Sequence, residues 1–149
     1  MKRSAPTFMR VTPVYVESVV ADGAGAINGA AIDLTQTEQV AMVVHMASRN
    51  TTGTLIVKAQ VAPDDGTGSP GTYADITGKT TASMDTDAET ARIYIDSGEV
   101  GLGTGGRFLR FVYTVGTAGV IGNASVVEYG PRNTEDYAIT ASATEQDWV

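Results

Sequence analysis

A chain of 149 residues is long enough to bury one core, and 42% hydrophobic residues with 18% charged ones suit a single soluble domain. The absence of cysteine excludes a disulfide framework, a thiolate nucleophile and a zinc–thiolate site. A net charge of −7 argues against a general nucleic-acid binder, which presents a basic face.

From the N-terminus, residues 1–10 carry Lys2, Arg3 and Arg10 without an acid and are expected to form a basic arm. Lys2 and Arg3 could open a signal peptide, but Arg10, Pro13 and Glu17 interrupt its apolar region, so no cleaved signal is expected. No apolar run is long enough to cross a bilayer, and no membrane partner is expected. Val14, Val16, Ser18 and Val20 alternate with Tyr15, Glu17 and Val19, which predicts a first strand over 11–20. The stretch "ADGAGAINGA" predicts a break, and a short second strand follows over 26–34.

"QVAMVVHMA" (39–47) is apolar on both faces, as a covered central strand would be, with Val40, Met42, Val44 and Met46 on one side. "TLIVKAQV" (54–61) puts Leu55, Val57, Ala59 and Val61 inward and Ile56, Lys58 and Gln60 outward. A turn-rich "APDDGTGSPG" leads to a fifth strand over 72–77. A sixth is predicted over 90–96, a seventh over 107–116 and an eighth over 120–130, the last two joined by a turn at "GTAG". "SMDTDAETARIY" is the best helical candidate, for one turn at most. About eight short strands with regular turns predict an all-β fold, an antiparallel β-sandwich of jelly-roll type, with extended N- and C-terminal arms. The domain is expected over 11–132, flanked by the arms 1–10 and 133–149.

The candidate chemistries are few. Gly101, Gly103 and Gly106 have dinucleotide-loop spacing, but period-two alternation follows them where a phosphate-binding helix should open. A hairpin connection is therefore expected, and no cofactor. His45 is the sole histidine and lies among apolar neighbours, so no Ser–His or Cys–His system and no catalytic residue is expected. Asp64-Asp65-Gly66 lacks the calcium-loop pattern and reads as a type I turn with Asx hydrogen bonds. Asp85, Asp87 and Glu89 alternate in "DTDAE" as a weak cation candidate, against the simpler reading of a solvated acidic loop; no metal site is assigned.

One set of motifs, taken in order, resembles a known group. It comprises Gly53–Lys58, Asp64-Asp65, Tyr73 with Asp75, Arg107–Phe111, Thr114–Gly119 and Gly130–Arg132, covering about 32–133. The order and spacing are similar to those of small β-sandwich virion structural proteins of tailed bacteriophages, the capsid decoration or cement type. A glycine- and threonine-rich loop over 77–90 and a longer tail after Arg132 depart from that pattern. The resemblance implies a non-enzymatic protein on the capsid exterior that binds the major capsid protein and itself, as a homotrimer or alternatively a dimer, with no direct nucleic-acid contact. Tail, neck or head-fibre components are the alternative, and a carbohydrate-binding jelly-roll module is a third reading that the low aromatic content disfavours.

Residues 133–149 carry Glu135, Asp136, Glu145 and Asp147 without a base, and the only tryptophan of the chain, Trp148. The candidate interaction residues are therefore Lys2, Arg3 and Arg10 in one arm and Tyr137, Ile139 and Trp148 in the other. Two dockings of the acidic arm are open: onto a neighbouring subunit or the capsid protein, or back onto its own domain.

Overall fold

Period-two alternation of β-branched and aromatic residues becomes antiparallel sheet throughout the residues that the computed structural model describes, 15–100 and 105–131. The strands are β1 (Tyr15–Asn28), β2 (Ile32–Asp33), β3 (Thr37–Arg49), β4 (Thr54–Pro63), β5 (Ala74–Thr80), β6 (Glu89–Asp96) and β7 (Gly106–Pro131). One turn of helix, α1 (Ser97–Val100), follows β6. All seven strands belong to one antiparallel sheet, in the order β5-β4-β7-β3-β6, with β1 and β2 on the other edge of β7.

β7 organises the molecule. One of its edges pairs first with β4 and then with β3; the other pairs with β2 and with the whole of β1. Strand β1 shifts register between Gly23 and Gly25, opposite Ala118 and Val115. The β3–β4 connection crosses the same level, since Arg49 pairs with Val120 and Thr54 with Gly116. All three ribbons thus change course at one corner, a usual role of irregularities in curved sheets. The result is two halves of one sheet, β5-β4-β7 with β2 and the end of β1, and β1-β7-β3-β6, in a nearly closed, barrel-like arrangement. On the open side Lys79 Nζ of β5 donates to Tyr94 O of β6 (3.1 Å).

The backbones are tight at the corner. A Cβ on Gly119 would stand 2.5 Å from Ala21 O, and one on Gly53 2.6 Å from Gly119 O. Asn50 N donates to Gly119 O (2.9 Å), and Arg49 Nη1 donates to Thr51 O and Gly53 O (3.0 and 3.2 Å), which holds the turn against β7. Thr117 sits here at φ 63°, a left-handed conformation that is rare for a β-branched residue.

The core lies between the halves. Val40, Met42, Val44 and Met46 from β3, Leu55, Val57 and Ala59 from β4, and Leu109, Phe111, Tyr113 and Val115 from β7 meet there, all essentially inaccessible. For β4 this is the inward face that alternation predicts; β3, expected to be covered on both faces, buries only this one, and Val43 on the other is 42% exposed. Val61 is only partly buried, packed against the core.

The all-β antiparallel class is as expected, with differences in detail. The described strands number seven rather than about eight. "GTAG" is no hairpin turn: the predicted seventh and eighth strands are one continuous β7, because two neighbouring strand edges pair with it across the bend. "ADGAGAINGA" likewise does not end the first strand, since β7 holds β1 as far as Asn28 and absorbs the glycines as a bulge. The fifth strand begins two residues late and runs to Thr80. The helical turn falls after β6, not in "SMDTDAETARIY", whose second half is strand. There Ser97 Oγ donates to Glu38 O (2.8 Å), Asp96 Oδ1 accepts from Gly98 N (2.8 Å), and Val100 enters the core.

Candidate interaction surface

The outer faces of the two halves differ in chemistry. On the β5-β4-β7 half, pairing sets Asp75, Gln60 and Arg110 in one row across three strands. Arg110 donates through Nε and Nη2 to Gln60 Oε1 (2.9 and 2.7 Å), and Gln60 Nε2 donates to Asp75 Oδ1 (2.6 Å). Lys58 Nζ completes the row at Asp75 Oδ2 (2.8 Å). The Arg110 guanidinium also lies 3.9 Å from the Tyr73 ring centroid, a cation–π stack that pins the end of the 64–73 loop. Hydrogen bonds from Lys58 and then Gln60 hold the Asp75 carboxyl below the ordinary carboxylate value. Burial pushes the Tyr73 hydroxyl up, with Arg110 partly opposing it.

The other end of that loop is fastened by Arg107. Its guanidinium donates to Asp33 of β2 through Nε and Nη2 (2.8 Å at Nη2) and to Asp64 through Nη1. Burial pushes the Asp33 carboxyl up, but Arg107 and the N–H and hydroxyl of Thr35 outweigh it, and the net displacement is downward. Asp64 Oδ1 accepts from Gly68 N and Gly66 N (3.0 and 2.8 Å), and these two amides are the main reason its carboxyl is lowered. Asp65 is lowered by the Thr67 hydroxyl and N–H. The Asp64-Asp65-Gly66 stretch therefore forms an Asx-bonded turn, as its residue types require.

The outer face of the β1-β7-β3-β6 half is different. Here Val20 and Ile121 stand directly opposite each other, each 55% exposed. Val43, 42% exposed, lies between Ser125 and Arg92, and Tyr94, 51% exposed, lies in the next outward row beside Ala41 and Val127. Among the described residues these four are the exposed large hydrophobic side chains. They share one face, and Arg92 lies exposed among them. Single exposed apolar residues are ordinary on a surface; a set gathered on one face marks a place for a partner.

Of the residues singled out from sequence, His45 lies half-buried on this second face, its Nδ1 within 3.0 Å of Thr90 Oγ1. Asp85, Asp87 and Glu89 do not converge. Glu89 Oε2 accepts from Asp85 N and Thr86 N (2.6 and 2.9 Å), while Asp87 Oδ1 accepts from Arg49 N (3.0 Å). No group of three or more His, Cys, Asp or Glu side chains that could hold a metal occurs among the described residues. Gly106 opens strand β7, so strand rather than helix follows the glycine run; Gly101 and Gly103 lie outside the described residues. Lys2, Arg3, Arg10, Tyr137, Ile139 and Trp148 also lie outside them. The apolar face escaped notice because its members come from four strands, and only strand register brings them together.

No protein-family model matches this sequence, and no curated protein is significantly similar to it.

Proposed function

We propose that this chain is a non-enzymatic structural protein of a phage virion, a decoration (cement) protein that binds the outer head surface and stabilises neighbouring capsomers as a homo-oligomer, a trimer in the first instance. The observation that carries this reading is the use made of the motif residues behind the resemblance. Lys58 binds Asp75, Arg107 binds Asp64, and Arg110 stacks on Tyr73, so four separated motif elements are joined by these contacts. Their charged groups hold a long loop on a sheet, which suits a protein whose task is rigidity under load. The order of these elements supports the reading by resemblance. Residues 1–10 add Lys2, Arg3 and Arg10 as further candidate contacts with the capsid.

The test is to mix the purified protein with heads that lack it, sediment them, and reconstruct the particles. The expected result is stoichiometric density on the head exterior between capsomers, with a higher osmotic-shock resistance of the filled heads. Density on the tail or neck replaces this reading by its alternative. Failure to bind particles together with glycan-array binding lost on Tyr94→Ala overturns it in favour of a carbohydrate module.

A further inference from the structure

The apolar outer face of the β1-β7-β3-β6 half needs an occupant, and its size narrows the choice. Four strands about 4.8 Å apart, over rows from Ile121 to Val127 at about 3.3 Å per residue, give a face of about 15 by 20 Å. That is about 300 Å², well short of the roughly 800 Å² per partner that a stable globular interface buries. An extended segment fits such a face better than a second globular body does. The face carries two apolar pairs, Val20 with Ile121 and Val43 near Tyr94, separated by the polar row of Asn123, His45 and Thr90. Arg92 is its cation, Asp96 stands one row beyond Tyr94, and Lys79 reaches the margin at Tyr94 O.

Residues 132–149 have the complementary chemistry. They supply Tyr137, Ile139 and Trp148 as apolar groups and Glu135, Asp136, Glu145 and Asp147 as acids, with no base after Arg132. They begin where β7 ends, at Pro131 paired with Thr37, on the same half of the sheet and two residues from Tyr129 in the register. At about 3.3 Å per extended residue the segment can reach about 60 Å, three times the length of the face. Tethering at the margin of the face gives it an effective concentration on the order of millimolar there, far above that of any second copy in dilute solution.

We propose that the C-terminal segment of this chain folds back over its own sheet, seating Trp148 and Tyr137 on the face formed by Val20, Val43, Tyr94 and Ile121, with its acids beside Arg92. This inference does not depend on the virion reading.

The single tryptophan makes the full-length protein its own reporter. The expected result is the blue-shifted emission of a shielded indole with weak acrylamide quenching, unchanged on dilution from micromolar to nanomolar protein. Val43→Asp, Tyr94→Ser and Arg92→Glu, made singly, should each shift the emission to the red and raise the quenching constant severalfold. Far-UV circular dichroism should keep its β signature in each; if Val43→Asp loses it, the more exposed Tyr94→Ser and the charge reversal Arg92→Glu carry the reading. Three outcomes overturn the proposal. A solvated indole in the unaltered protein removes the docking, shielding lost on dilution makes the docked segment another copy's, and shielding indifferent to Tyr94→Ser and Arg92→Glu places Trp148 elsewhere.

Discussion

At the scale of single residues, two kinds of position matter most. Phe111 and Leu55 fill the centre of the core, and truncation there removes buried surface and leaves a cavity. Phe111→Ala should cost about 3–5 kcal/mol and Leu55→Ala about 2–5 kcal/mol, read from urea midpoints with unchanged slope. Thr117 represents the other kind, a β-branched side chain held at φ 63°. Left-handed backbone costs an L-residue about 1–2 kcal/mol, part of which glycine's extra unfolded-state freedom cancels. Thr117→Gly should therefore raise stability by up to about 1 kcal/mol; a loss of that size would mean that the Thr117 side chain contributes more than its strain costs.

At the scale of elements, the 64–73 loop and the corner are each held by a distinct device. The loop is fastened by carboxylates whose folded pKa values lie below the ordinary value: Asp33, Asp64, Asp65 and Asp75. A lowered folded value means stability that is present above the unfolded pKa, about 4, and lost as pH falls through the folded one. Melting temperature should be flat from neutral pH to about 5 and fall steadily below about 4. Arg107→Lys should lower it at neutral pH nearly as much as Arg107→Ala, because a single ammonium cannot serve Asp33 and Asp64 as the guanidinium fork does. At the corner, Gly119→Val would drive side-chain atoms into the backbone of β1 at Ala21. It should cost about 1–3 kcal/mol or more in urea unfolding.

The inward residues of β4 were legible in the sequence, because alternation with Ile56, Lys58 and Gln60 states which face is buried; β3 is apolar on both sides, and nothing local showed that the side of Val43 faces outward. The joins were not. Glycine and threonine at "GTAG" and "ADGAGAINGA" have the composition of turns, and whether such a stretch reverses the chain or bends it depends on what pairs alongside. The fastening of the loop was half legible. Asp64-Asp65-Gly66 announced its turn, yet nothing local indicated that Arg107, forty-three residues on, would bind Asp64. The apolar face was hidden for the same reason, since Val20, Val43, Tyr94 and Ile121 are far apart along the chain.

At the scale of the whole molecule, the basic residues 1–10 and the acidic residues 133–149 raise a question of assembly. Light scattering with size exclusion should show a homo-oligomer, a trimer if the cement reading holds, with the oligomer persisting when residues 133–149 are removed. If deletion of that segment instead yields monomers, the acidic arm joins subunits, contrary to the fold-back arrangement. β7 has a further consequence, for how the chain comes into being. It pairs with β1, β2, β3 and β4, whereas without it only β3 with β6 and β4 with β5 retain strand partners. During synthesis, the strands made before β7 must wait with their edges open until its last residues leave the ribosome. Contacts of such long sequence separation form slowly, and exposed edges invite pairing between nascent chains. A chain ending at residue 104, with six of the seven strands present, should lack a cooperative melting transition and gather in the insoluble fraction. Supplying Gly106–Pro131 as a separate peptide should recover soluble, β-rich protein, in the manner of a template laid down last.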